Sequence, residues 1–187
     1  MRLILASESP RRREILHSLG VDFEAENPCV EEIAVPAEAP RDTARRLACL
    51  KAAAVSERFP DACVIGADTV VDVDGVPLFK PLDRDDSVRM LKLLNGRTHL
   101  VHTGIAIVRF GSPAVSGTET SRVTFGDLSE DEIFEFVSSG DGDDKAGSYA
   151  IQGRGALLVE RIEGDYYNIV GLPVYRLKKM LEKFTRL

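Results

Sequence analysis

An aspartate stands where an apolar strand should simply continue. In Cys63–Asp74, CVIGADTVVDVD, Asp68 interrupts a run of Val, Ile, Ala and Thr that otherwise reads as a buried strand. An ionised carboxylate is costly to bury unless it is paired, hydrogen-bonded or bound to a cation. The chain offers candidates at a distance in sequence. Lys51 falls on the apolar stripe of a helix, where it either snorkels to water or pairs with an internal anion. Lys80 follows the strand that returns from Asp68. Ser9 reads as a helix N-cap and Pro10 as the first helical residue, with Arg11, Arg12 and Arg13 in the first turn. Cations there oppose the helix dipole, a conflict that an anion docked on the free N–H groups removes. Glu31 and Glu32 stand together in a loop. With Asp68 they form an oxygen set suited to Mg²⁺ or Mn²⁺, which bind few carboxylates and keep room for waters and substrate phosphates.

Together these residues are an inventory for holding a polyphosphate with a divalent ion. Cations would neutralise charge as a phosphoanhydride breaks, and a carboxylate would orient or deprotonate the attacking water. Ordinary alternatives stay open for each: solvated arginines, loop glutamates facing water, a snorkelling lysine. Other chemistries find less support. There is no Gly-x-Ser-x-Gly and no cysteine with an obvious histidine partner, which argues against acyl transfer. His99 and His102 lie on opposite faces of one strand without a third ligand at a zinc spacing, and read as structural. The Asp141–Asp144 loop lacks the calcium-loop pattern. The glycine-rich stretch 145–155 has no Walker pattern beside it.

The elements that must position these residues follow from local signals. Leu3–Ala6 reads as a buried strand, followed by a helix from Pro10 that Gly20 ends. Val21–Glu26 reads as a second strand and Arg41–Phe59 as a helix with Ala44, Leu47, Ala48 and Val55 inward. Pleating puts Gly66, Asp68, Val70 and Asp72 on one face of the next strand and Ala67, Thr69 and Val71 on the other. Asp74-Gly75 turns it into a hairpin. Asp83 caps a helix that stops at Asn95-Gly96. Thr98–Arg109 and Ala114–Phe125 make a long antiparallel pair. Ser129 to Glu132 is a capping box for a short helix to Val137. Ala156–Ile162 reads as a last strand and Pro173–Phe184 as a final helix.

The chain has 187 residues, 44% hydrophobic and 29% charged, enough for one substantial domain spanning 1–187. Lys and Arg number 24 against 30 Asp and Glu, and the net charge of −6 disfavours nucleic acid and anionic membranes as partners. Three cysteines without a CxxC suggest reduced thiols and a cytoplasmic location. The start, MRLILASES, shows no signal peptide, and no apolar run reaches membrane-spanning length.

Three blocks, in order and spread over nearly the whole chain, resemble the Maf family of nucleoside triphosphate pyrophosphatases, named for septum-formation inhibition. They are LASESPRRREIL, then VIGADTVVDVDG followed by KP, then DKAGSYAIQGRGALLVERIEGDYYNIVGLP. The resemblance implies the α/β fold shared with inosine triphosphate pyrophosphatases (Maf/Ham1): an elongated mixed sheet flanked by helices, with two lobes and a central cleft. It implies hydrolysis of a nucleoside triphosphate to the monophosphate and pyrophosphate with a divalent cation, and a homodimer is common among such folds. It makes Asp68 the proton acceptor and Arg11 a triphosphate and specificity residue. Thr69 and Gln152 become specificity residues, Lys51 and Lys80 the family's lysines, and Glu31 or Glu32 its loop carboxylate. Tyr149, Ile151, Gln152 and Tyr166-Tyr167-Asn168 follow the dTTP and UTP branch. A sister branch acting on 7-methyl-GTP, and a non-catalytic nucleotide-sensing regulator of cell division, remain as alternatives. One tension stands out. Asp68 and Thr69 fall on opposite pleat faces, so a role for both requires the strand to twist or bulge beside Asp68.

Overall fold

One long strand organises the sheet. The computed structural model describes residues 2–33 and 35–185, and within them β3 (Cys63–Val73) runs beside β5 (Thr98–Arg109) in unbroken antiparallel register from Cys63↔Arg109 to Asp72↔Leu100. On its other edge β3 is shared by two short strands. The parallel β1 (Leu3–Ala6) takes Cys63–Gly66, and the antiparallel β4 (Val76–Leu78) takes Val71–Val73. Ala67–Val70 therefore has a strand on one side only. Beyond β1 lies β2 (Glu24–Glu26), and beyond β5 lie β6 (Val115–Phe125) and β7 (Val159–Glu163). This mixed sheet has seven strands in the order β2-β1-β3-β5-β6-β7, with β4 off that path.

Helices cover both faces. α2 (Pro40–Arg58) lies on the face that carries Gly66, Asp68 and Gly104. It comes unusually close, because a Cβ on Gly66 would overlap the Ala48 carbonyl and one on Gly104 the Ala44 carbonyl. The layer between is small, built on Ala6, Ala48, Ala52, Ala62 and Ala106 with Ile4, Val55 and Val64. The rest of the protein has two separate apolar clusters. One joins β1 and the start of β3 to α1 (Pro10–Ser18) and α6 (Val174–Thr185), through Leu5, Ile15, Leu16, Ile65, Leu172 and Leu177. The other joins the end of β3 and β4 to α3 (Arg84–Leu94) and α4 (Glu130–Ser139), through Val73, Leu78, Leu91, Leu94, Phe125 and Ile133. These two cores make the two lobes.

Several expectations shift. The second strand shrinks to three residues, α2 begins at Pro40 rather than Arg41, and the last strand begins at Val159 because Gly153–Leu158 winds into 3₁₀ turns. Gly155 is held so close to the Ala150 carbonyl that a side chain there would collide with it. A five-residue helix, α5 (Tyr166–Val170), was not anticipated; Asp165 caps it by accepting from the Tyr167 N–H. The capping box at Ser129 and Glu132 and the Asp83 cap form as read. Ser9 takes the N-cap backbone position of α1, but its side chain makes no capping bond.

The helix–sheet approach gives a stability prediction. Gly104→Ala should cost about 3 kcal/mol or more, since backbone must move to relieve the overlap. Gly126→Ala, where nothing lies within 4 Å, should cost within about 0.5 kcal/mol beside it. Urea denaturation of the two variants checks both numbers.

Candidate active site

The close approach of α2 puts Lys51 directly over Asp68. Lys51 Nζ donates to Asp68 Oδ1 at 2.5 Å and stands 2.6 Å from Glu32 Oε1. Lys51 and Asp68 are buried, at 7% and 6% exposure, whereas Glu32 reaches in from an exposed loop. That loop is strapped to α2 by two arginines. Arg46 binds Glu38 and the Ile33 carbonyl, and Arg58 donates to the Asn27 carbonyl. Lys51 thus pairs rather than snorkels, and Asp68 has its compensation. Burial pushes the Asp68 carboxyl up; the charges of Lys51 and Arg12 pull against this and leave it above the ordinary aspartate range. Burial also works on Glu32, but the Lys51 hydrogen bond and the charges of Lys51, Lys80 and Arg12 outweigh it and hold Glu32 low.

The three arginines separate. Arg12, Ile15 and Leu16 form the inward stripe of α1, so Arg12 alone is buried. Its guanidinium donates from Nε to the Gly171 carbonyl (2.8 Å), from Nη1 to Ser7 Oγ (3.1 Å) and from Nη2 to Thr69 Oγ1 (3.1 Å). All three acceptors are neutral. Burial lowers the Arg12 pKa, and the charge of Asp68 is the largest influence opposing it. Arg11 is half-buried, its pKa lowered by burial and supported by Asp144. Arg13 donates to the Glu8 carbonyl.

A cleft of about 490 Å³ opens at this place. Ser9, Arg11, Arg12, Glu32, Lys51, Asp68, Thr69 and Lys80 all line it. Glu31 and Gln152 are exposed and stand outside the lining, each next to a residue that belongs to it, Glu32 and Ile151. Of the twist or bulge that a shared role for Asp68 and Thr69 called for, no bulge is present. β3 keeps its register through Asp68 and Thr69, and the cleft reaches both pleat faces because the edge at Ala67–Val70 carries no neighbouring strand. Ser7 and Lys145, which no local signal marks, also line the cleft, as do Tyr149, read only as a branch marker, and Asp144, which pairs with Lys145. Behind Thr69 lie Thr103 and Asn168, both fully buried. The position of Arg12 on the Ile15–Leu16 stripe was the available signal for its burial; Thr103 gave one only as a hydroxyl inside an apolar strand.

The histidines sit away from Asp68. His99 Nε2 meets the Tyr149 hydroxyl at 2.7 Å, and burial drops the His99 pKa to about 4. His102 lies between Thr120 and Asp72.

Comparison with known proteins adds to this geometry. The family model described as "Maf-like protein" matches residues 2–184. The "dTTP/UTP pyrophosphatase" of Symbiobacterium thermophilum is 50% identical over 183 residues, covering 98% of this chain and 94% of that protein. That of Thermoanaerobacter sp. (strain X514) is 48% identical over 185 residues, covering 98% and 96%. Among solved structures, the Ham1 protein of Staphylococcus aureus aligns with a TM-score of 0.49 at 14% identity, over 68% of this chain and 73% of that one. A dITP/XTP pyrophosphatase from Mycobacterium abscessus aligns with a TM-score of 0.45 at 17% identity, over 68% and 76%.

The buried pair makes Lys51 a stability residue as well. Lys51→Met should destabilise the fold by about 3–5 kcal/mol at neutral pH, because it strands a buried carboxylate. An aspartate whose folded pKa is raised binds its proton more tightly folded than unfolded, so stability falls as pH rises through the folded value. Without Lys51 that folded value rises further. The deficit of Lys51→Met against the parent protein should therefore shrink as pH falls, and Asp68→Asn in the same chain should largely remove it. Denaturation curves across pH measure both effects.

Proposed function

The chain belongs to the Maf-like protein family, and from that premise we propose that it hydrolyses nucleoside triphosphates, dTTP and UTP foremost, to the nucleoside monophosphate and pyrophosphate. The observation that carries this reading is the Lys51–Asp68–Glu32 cluster at the unpaired edge of β3, inside a cleft lined by Arg11, Arg12 and Lys80. The names of relatives near half-identical over the whole chain point to the same activity.

Each residue then has a task. Asp68 accepts the proton of the attacking water as the phosphorus–oxygen bond to the leaving pyrophosphate breaks. Its partial desolvation makes it a stronger base than an exposed aspartate, and the Lys51 charge favours its ionised form. The start of α1 presents free N–H groups with Arg11 and Arg12 beside them, a setting that draws the triphosphate. Lys80, an exposed lysine on the opposite lobe, adds positive charge felt at Glu32. Thr69, and Gln152 after the Ile151 that lines the cleft, bear on the choice of base.

The donor set fits a divalent cation. Asp68 and Glu32, on either side of the Lys51 ammonium, carry the hard oxygen donors that Mg²⁺ and Mn²⁺ prefer and would be the residues to hold such an ion. Among the described residues no three His, Cys, Asp or Glu side chains group to hold a metal by themselves, so an ion here would be shared with substrate phosphate and water. A bound divalent ion would supply charge neutralisation on the phosphates. Of the two adjacent glutamates, Glu32 takes this role and Glu31 does not. No helix among the described residues is long and apolar enough to cross a membrane, and the three cysteines are free thiols, in keeping with work in the cytosol.

A panel of triphosphates with Mg²⁺ or Mn²⁺, assayed for products, should give pyrophosphate, with dTTP and UTP turned over fastest. Orthophosphate as the product overturns the cleavage site, and preference for 7-methyl-GTP overturns the substrate. Binding without hydrolysis at any metal concentration would make the protein a nucleotide sensor. Asp68→Asn should lower kcat by roughly 10²–10⁴-fold in a protein that still folds. The acid limb of kcat/KM should lie above the ordinary aspartate pKa, since activity needs Asp68 ionised and is lost as pH falls through its raised value. Arg11→Ala should raise KM for every triphosphate.

A further inference from the structure

The direction of the Thr69 hydroxyl is decided by residues behind it. Thr69 Oγ1 lies 2.9 Å from Thr103 Oγ1, which lies 2.8 Å from the carbonyl oxygen of Asn168. Each contact needs one proton between its oxygens, because lone pairs facing each other at that distance repel. Only two hydroxyl protons are present, and a carbonyl has none to give. Thr103 therefore donates to Asn168, and Thr69 donates to Thr103. From the other side Arg12 Nη2 donates to Thr69 Oγ1 at 3.1 Å, and a guanidinium cannot accept. Thr69 has then used its proton and one lone pair inside the protein. What it still presents to the cleft, where it is partly exposed, is a lone pair.

The relay is held firmly. Thr103 and Asn168 are fully buried, and the Asn168 amide accepts from the Thr103 N–H and donates to the Val101 carbonyl and Ser121 Oγ. Nothing in this arrangement lets Thr69 turn its proton outward without breaking a buried hydrogen bond.

We propose that Arg12 and Thr103 make Thr69 an obligate hydrogen-bond acceptor, so that the cleft selects a pyrimidine carrying an N–H at the ring position that meets it. Uracil and thymine offer N3–H. Cytosine has a lone pair at N3, which would face the lone pair of Thr69. The inference rests on the pyrimidine triphosphate reading given above and says how that site tells one pyrimidine from another. Thr103 acts only through Thr69 and is a positioning residue.

The test measures kcat and KM for UTP and CTP in the parent protein and in Thr103→Val, Thr103→Ser and Thr69→Val, with thermal melting to confirm folding. The parent should favour UTP over CTP by about tenfold or more in kcat/KM, from one hydrogen bond gained against one repulsive contact. Thr103→Val frees the Thr69 proton to turn into the cleft, so the UTP:CTP ratio should fall about tenfold, mainly through a lower KM for CTP. Thr103→Ser keeps the hydroxyl and should restore the parent ratio. A ratio in folded Thr103→Val within about twofold of the parent's overturns the inference, as would a parent protein showing no preference for UTP over CTP. If Thr103→Val does not fold, Thr69→Val decides: a loss on UTP about tenfold greater than on CTP supports the inference, and an equal loss on both overturns it. Absence of pyrophosphate release from any pyrimidine triphosphate overturns the functional reading itself, and the inference with it. An unchanged ratio in an enzyme active on pyrimidines overturns the inference alone.

Discussion

A carboxylate inside a sheet stays ionised only if a cation is built in beside it, and much of this fold serves that requirement. The cation is the Lys51 ammonium, and it reaches Asp68 because α2 lies against the sheet almost backbone to backbone. That approach demands Gly66 and Gly104 on the strands and alanines on the helix. The same helix carries Arg46 and Arg58, which fasten the loop that brings Glu32 to the other side of the ammonium. Charge, helix packing and loop position are thus one arrangement. Such an arrangement is poor for stability taken alone, because desolvating two charges offsets most of what their attraction returns. For the chemistry proposed above it has a use: the carboxylate is held in one place and partly desolvated.

The second constraint is access. A strand in the middle of a sheet exposes one side chain at a time to either face, so neighbours such as Asp68 and Thr69 ordinarily cannot serve one ligand. Here β1 stops at Gly66 and β4 begins only at Val71, and the gap between them is where the cleft forms. The two apolar cores stand on either side of that gap, which is why the protein has two lobes joined by continuous β3 and β5. At that gap residues of both strand faces, Asp68 and Thr69, line one cleft.

What the sequence made legible follows from how local each signal was. Asp74-Gly75, the Ser129–Glu132 capping box and the Asp83 cap depend on neighbours within a turn, and they form as read. Asp68 and Lys51 could be singled out because each breaks an apolar pattern, although nothing local paired them. The resemblance to a family supplied Arg11 and Gln152, and the structure puts Arg11 in the cleft lining and Gln152 outside it. Glu31 and Glu32 could not be separated, since a loop has no periodicity to tell inward from outward. Arg12 was read together with Arg11 and Arg13, although its spacing from Ile15 and Leu16 could have separated it as the inward one. Asp68 and Thr69 line one cleft without a bulge for a nonlocal reason: the strand's pairing partners decide where it is open. Thr103 and Asn168 were illegible because their role exists only where β3, β5 and α5 meet.

The buried guanidinium also bears on how the chain folds. Arg12 binds the carbonyl of Gly171, 159 residues away, and Ser7 and Thr69 from two further elements. In its own lobe Leu3 of β1 pairs in parallel with Cys63, with α1, β2 and α2 lying between them in sequence. Closing such spans costs chain entropy before any contact repays it, so local hairpins and helices have the kinetic advantage. The β3–β5–β6 meander and the lobe of α3 and α4 can assemble from neighbouring segments. The wall of the cleft that carries Arg12 needs both ends of the chain, so it is complete only in the finished molecule.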